Sequence, residues 1–177
     1  MTTDNRLTLV EGLIREVPNF PKPGILFKDI TPLLADAEGF ATAVTLMFES
    51  TSDLEVDTVV GIESRGFLFG VALATTLGCG FVPVRKPGKL PAATLTVSYE
   101  LEYGRDSLEI HRDALRPGAR VLIVDDLLAT GGTAAATVEL VEKAGGQVAG
   151  VAVLIDLAFL GGSAKVQAPV RSVLRYG

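Results

Sequence analysis

The sequence predicts an α/β domain with a mostly parallel central sheet. Three observations carry this prediction. Strand-like runs at Val56 to Glu63, Phe81 to Val84, Val121 to Val124, Gln147 to Ile155 and Val170 to Leu174 are interleaved with helical patterns, as in strand–helix–strand units. Three of these runs deliver chemistry-bearing residues: Glu63-Ser64-Arg65, Arg85-Lys86 and Asp125-Asp126. In parallel sheets ligands bind beyond the carboxyl ends of the strands, so three such ends imply one rim. Finally, 177 residues of which 48% are hydrophobic suffice for a single domain, 1–177, with a sizeable core.

Taken in order, Leu7, Val10, Ile14 and Val17 recur at helical spacing with Thr3 or Asp4 as cap, and this helix is expected to end before Pro18. From Pro18 to Gly24 three prolines and a glycine forbid a regular helix and a central strand. The apolar Phe20, Ile25, Leu26 and Phe27 that follow suit a hydrophobic clamp or a wall of a ligand pocket. Phe40, Val44 and Met47 mark a second helix. After the Val56 strand, Phe67 to Leu77 reads as a helix rich in small residues. Thr94 to Tyr99 and Ser107 to His111 alternate as an antiparallel pair. Between them, Glu100 to Asp106 is polar and glycine-bearing, as a mobile flap would be. Pro117-Gly118 turns the chain into the Val121 strand, and Ala134 to Ala144 is helical.

Bulk properties exclude several classes. A net charge of −5 and a pI near 4.9 argue against a nucleic-acid-binding surface. Cys79 is the lone cysteine and reads as a small buried hydrophobe rather than a nucleophile or ligand. His111 is the only histidine and reads as a surface residue. The polar N-terminus has no leader pattern and no run approaches the roughly 18 apolar residues of a membrane span, so the expected location is the cytoplasm.

Val121 to Thr133 is the most informative stretch. Four apolar residues lead into Asp125 and Asp126, whose carboxylates accept hydrogen bonds from hydroxyls, and the pair is expected to point to opposite sides of the strand. Ala129-Thr130-Gly131-Gly132-Thr133 then opens a helix. Unpaired amides at a helix N-terminus attract anions, glycines let phosphate approach closely, and Thr130 and Thr133 add donors. No lysine follows, which excludes an ordinary P-loop. Arg65, Arg85, Lys86 and Lys89 are ordinary surface cations taken singly, but as a set they suit an anion such as pyrophosphate.

Together these residues resemble the type I phosphoribosyltransferases. The resemblance is carried, in order, by Phe20 to Asp29, Glu63 to Phe67, Arg85 to Pro91, Leu101 to Gly104 and Asp125 to Thr133, and it narrows to the members that act on adenine. It implies that family's fold, with a small N-terminal hood at roughly 1–34 and a flexible antiparallel flap at roughly 94–111. It implies transfer of the phosphoribosyl group from phosphoribosyl pyrophosphate to adenine, giving AMP and pyrophosphate. Asp125 and Asp126 would hold the ribose hydroxyls and Ala129 to Thr133 the 5′-phosphate. Arg65, Arg85, Lys86, Lys89 and Tyr103 would meet the pyrophosphate, with Arg65 also assisting its departure. Adenine would stack on Phe27, with backbone groups of Leu26 and Lys28 reading its edge. Relatives acting on oxopurines carry an acid where this chain has Ala129, so the proton role moves to Glu102 on the flap. Magnesium is expected to arrive with substrate and water, near Asp125, with no direct protein cage. Arg85 would reach a neighbouring subunit, implying a homodimer. The alternatives are a transferase for another purine such as xanthine, and a non-catalytic sensor of phosphoribosyl pyrophosphate.

Overall fold

The computed structural model describes residues 3–100 and 104–177. The chain divides into two compact units, Met1–Leu46 and Met47–Gly177.

In the first unit, helix α1 (Thr3–Gly12) is followed by strands β1 (Arg15–Pro18) and β2 (Leu26–Asp29), paired antiparallel with Val17 opposite Phe27. The helix expected to reach Val17 therefore stops five residues short of it, at Gly12. Gly12 weakens a helix end, and a residue before proline is pushed out of the α region, so the β-branched Val17 enters a strand instead. The proline-rich segment forms a closed hairpin loop. The side-chain oxygen of Asn19 accepts the Gly24 amide at 2.9 Å, and the Phe20 amide donates to the Ile25 carbonyl at 3.3 Å. A five-residue helix, α2 (Thr31–Ala35), was too short to show a period. Helix α3 (Ala37–Ser50) contains Phe40, Val44 and Met47 as expected, and Asp36 Oδ1 accepts the Gly39 amide at 2.7 Å at its start.

The second unit begins the sheet with β3 (Thr58–Ile62), helix α4 (Gly66–Leu77) and β4 (Gly80–Val84). An antiparallel hairpin follows, β5 (Thr94–Glu100) with β6 (Arg105–His111), and then β7 (Arg120–Leu128), helix α5 (Gly132–Lys143), β8 (Gln147–Leu157) and β9 (Val170–Tyr176). The central sheet has five strands in the order β4-β3-β7-β8-β9, all parallel. The chain winds outward from β3 to β4, then returns to lay β7 on the other side of β3. That reversal makes β3/β7 the switch point, where open α/β sheets form their ligand crevice.

The core explains the strand sequences. Val121, Leu122, Ile123 and Val124 are completely buried, as a central parallel strand covered on both faces requires. Val60, Ile123 and Val153 pack with Leu140 and Val141 of α5. Val97, Leu108 and Ile110 of the hairpin belong to the same cluster, so the stem of the expected flap is part of the core. Cys79 is only half-buried, and burial pushes its thiol up, which disfavours the reactive thiolate. His111 is also half-buried, and its Nε2 accepts the Ala92 amide at 3.4 Å. Among the described residues no helix is long and apolar enough to cross a membrane.

Candidate functional site

At the β3/β7 switch point lies a cavity of about 320 Å³ whose walls include Glu63, Arg65, Lys86, Asp106, Asp125 and Asp126. The sequence placed the acids at the end of a strand, pointing to opposite sides. Both instead line this one cavity. The reason is that β7 does not stop at Val124. It continues to Leu128, with Asp125 opposite Val153 of β8, and the Asp125 side chain turns so that Oδ1 accepts the Asp126 amide at 2.9 Å. Asp126 is buried, and Arg65 Nε, at the start of α4, donates to its Oδ2 at 2.5 Å. Burial and the adjacent Asp126 charge push the pKa of Asp125 well above the usual carboxylate range. The Arg65 charge also acts to lower Asp125, but more weakly.

Three of the four expected cations, Arg65, Arg85 and Lys86, are not loose surface charges. Arg85 donates from Nε and Nη2 to the Glu63 carboxylate at 3.2 and 3.3 Å, and the Lys86 amide donates to Glu63 Oε2 at 2.8 Å. Burial works to raise Glu63, but these hydrogen bonds outweigh it and leave its pKa below the ordinary value. Lys86 Nζ pairs with Asp106 on β6. Lys89 stays exposed, and its charge also helps to lower Glu63. Glu63, Asp106 and Tyr99 are site residues to which the sequence assigned no role. For Glu63 the signal was present, an acid directly after a buried strand.

A smaller cavity, about 100 Å³, is lined by Asp125, by residues 127–134 and by Val153. It is the concave side of the Ala129 to Thr133 turn, and Gly131 caps α5 with φ 82°. A Cβ on Gly131 would overlap the carbonyl oxygen of Gly162, and one on Gly162 would overlap that of Ala129. The loop is thus wedged against a pair of short 3-10 turns, Ala158–Leu160 and Gly162–Lys165. Tyr99 also braces it. The tyrosine ring passes 3.3 Å from where a Gly132 Cβ would stand, and its hydroxyl bonds Thr133 Oγ1 at 3.1 Å.

The expected base-binding residues sit on β2 in the first unit. Phe27 is half-buried and meets Phe20 edge-to-face with ring centroids 5.1 Å apart. Val17, Phe20, Phe27 and Asp29 line a cavity of about 290 Å³. Leu26 is exposed, and the Lys28 side chain is buried in an ion pair with Glu16. β2 pairs antiparallel with β1 in a two-stranded sheet. Asp29 is held down to about 2 by hydrogen bonds from the Thr31 amide and the Arg15 side chain. Glu102 and Tyr103 lie outside the described residues.

Comparison with known proteins agrees with this geometry. Residues 33–172 match the phosphoribosyl transferase domain. The adenine phosphoribosyltransferase of Sorangium cellulosum strain So ce56 is 54% identical over 182 aligned positions, covering 99% of this chain and 91% of the relative. The crystal structure of adenine phosphoribosyltransferase from Rhodothermus marinus DSM 4252 superposes with a TM-score of 0.92 at 52% identity, covering 98% of this chain and 99% of that one. The Saccharomyces cerevisiae enzyme, complexed with an imino-altritol bisphosphate and adenine, gives a TM-score of 0.91 at 42% identity, covering 97% and 99%. The chain is similar to these proteins along almost its whole length, and it belongs to the phosphoribosyl transferase domain family, among the adenine phosphoribosyltransferases.

Proposed function

We propose that this chain transfers the 5-phosphoribosyl group from phosphoribosyl pyrophosphate to adenine, giving AMP and pyrophosphate. The observation that carries this reading is the single strand end that sets Asp125 and Asp126 beside the phosphate-sized loop at Ala129 to Thr133. In it, the two carboxylates accept the ribose hydroxyls. The amides and hydroxyls of Thr130 to Thr133 take the 5′-phosphate. Arg65, Arg85, Lys86, Lys89 and Tyr103 neutralise the departing pyrophosphate as N9 of adenine forms its bond to ribose C1. The Arg65–Asp126 ion pair at the rim of the crevice supports this reading.

Phe27 stacks on adenine, and the backbone of Leu26 and Lys28 reads its edge, a role open to them because the closed hairpin loop fixes that backbone. Ala129 offers no acid, so Glu102 handles the base proton. The flap, stem at roughly 94–111, excludes water from C1. The hood (roughly 1–34) and the flap belong to one working domain. A cytoplasmic homodimer, with Arg85 reaching the neighbouring subunit, completes the reading.

The residues fit a magnesium ion carried in with substrate. Asp125 is partly exposed, and its carboxylate is crowded by Asp126, a crowding that a cation relieves. Magnesium of this kind keeps several waters and takes few protein ligands. When bound, magnesium supplies positive charge at the pyrophosphate and ribose oxygens.

A panel of bases with labelled phosphoribosyl pyrophosphate tests the substrate. AMP formation from adenine, with no product from hypoxanthine, guanine or xanthine, is expected; product from xanthine alone overturns the choice of base. Glu102→Gln is expected to lower kcat by roughly 10²- to 10⁴-fold, the usual share of general acid–base catalysis, with little change in phosphoribosyl pyrophosphate binding. Single-turnover rates beside binding isotherms separate the two, and an unchanged rate removes Glu102 from proton transfer.

A further inference from the structure

Three of the four expected cations are held by acids of their own chain: Arg65 by Asp126, Arg85 by Glu63 and Lys86 by Asp106. The third pair differs from the others. Asp126 lies in β7 and Glu63 directly follows β3, both at the rim of the central sheet, whereas Asp106 belongs to the hairpin stem. Its Oδ2 accepts from Lys86 Nζ and, at 3.3 Å, from the Tyr99 hydroxyl; its Oδ1 accepts the Ser107 amide at 2.8 Å. Tyr99 in turn bonds Thr133 of the phosphate loop. One carboxylate therefore joins the lysine of the pyrophosphate region to the loop of the 5′-phosphate region, and it does so from the wall of a cavity read as binding an anion. A negative charge there opposes the ligand unless its function is to hold the lysine.

We propose that Asp106 is a positioning residue that keeps Lys86 in reserve: the diphosphate takes the lysine ammonium from Asp106 on binding, and Asp106 reclaims it as pyrophosphate leaves. The inference rests on the function proposed above. The exchange is affordable because the pair is partly solvated, with side-chain exposures of 44% for Lys86 and 24% for Asp106, and such pairs contribute little net free energy. The two groups also stabilise each other's charged forms. Burial acts to lower Lys86, but the Asp106 hydrogen bond and neighbouring charges raise it overall; burial acts to raise Asp106, and the Lys86 hydrogen bond lowers it overall. The Tyr99 link means that the hairpin stem, the lysine and the phosphate loop share one hydrogen-bonded chain, so release of Lys86 removes the strongest partner on the Asp106 end of it.

The test is calorimetric titration of the full-length protein with magnesium pyrophosphate, which needs no turnover. Asp106→Asn is expected to bind pyrophosphate about five-fold tighter, the equivalent of one partly exposed ion pair no longer competing. Its pyrophosphate dissociation, followed by stopped flow, should slow by a similar factor. Asp106→Glu keeps the charge and should stay close to the wild-type affinity. In a Lys86→Gln background, Asp106→Asn should lose most of its effect, because there is no ammonium left to release. Unchanged or weaker binding in Asp106→Asn overturns the inference. So does an equal gain in the Lys86→Gln background, which would mean simple repulsion by Asp106. Wild-type protein that binds no magnesium pyrophosphate overturns the site reading as well, whereas wild-type binding with no gain in the variant overturns this inference alone. Asp106→Ser gives the same comparison if the Asn variant does not fold.

Discussion

Replacing Asp125 and Asp126 together by Asn is expected to cut AMP formation, with kcat/KM down by roughly 10²- to 10⁴-fold, because the two charge-assisted hydrogen bonds proposed to the ribose are each worth roughly 1.5–3 kcal/mol. The single Asp125→Asn change should at the same time stabilise the ligand-free protein. Asp125 has a folded-state pKa well above its ordinary value of 3.8, through burial first and the Asp126 charge second. Its favourable contribution is therefore complete below 3.8, where folded and unfolded chains both carry the proton. It declines as pH rises toward the raised folded value, because the unfolded chain ionises first, and above that value it is gone. At neutral pH the wild type carries this penalty and an Asn at 125 does not. Melting curves of both proteins at acid and neutral pH check this: the wild type should lose stability across that window relative to the variant. A variant that melts lower than wild type at neutral pH would mean that Asp125 is not under electrostatic strain.

Gly131→Ala is the second large effect. Its φ of 82° alone costs a residue with a side chain about 1–2 kcal/mol. The added Cβ would also overlap the Gly162 carbonyl oxygen, which is backbone and cannot rotate away. The loop must then move, and the amides proposed to take the 5′-phosphate move with it. AMP affinity is expected to fall by more than about tenfold, the loss of one or more phosphate hydrogen bonds. Titration with ribose 5-phosphate and with adenine separates the phosphate contribution from the base. Gly162→Ala should produce the same defect, because its Cβ would overlap the Ala129 carbonyl from the other side of the wedge. Normal AMP binding in Gly162→Ala would show that the phosphate loop holds its shape without that support.

Much of the fold was legible because its signals are local. The runs at Val121 to Val124 and Gln147 to Ile155 are β-branched and apolar enough to need burial on both faces, and they became β7 and β8. The Phe40, Val44, Met47 spacing became α3. Ile14 and Val17 misled, since helical spacing continued past Gly12, but the proline at 18 outweighed a pattern of two residues. The two-acid, two-glycine stretch from Asp125 to Thr133 was legible for the same local reason: its chemistry and its turn lie within nine consecutive residues.

The sequence by itself thus determined the strands, the helices that cover them and the motif that identifies a phosphoribosyl site, because hydrophobic periodicity and turn chemistry act between near neighbours. Only the tertiary structure decided which groups that motif meets. Tyr99 reaches Thr133 across 34 residues, Lys86 reaches Asp106 across 20, and Arg65 reaches Asp126 across 61. Asp125 and Asp126 share one cavity because β7 runs on beside β8 to Leu128, past the end of its pairing with β3 at Val124. Such partnerships follow from the order of strands in the sheet, and no periodicity along the chain encodes which strand ends come to lie side by side.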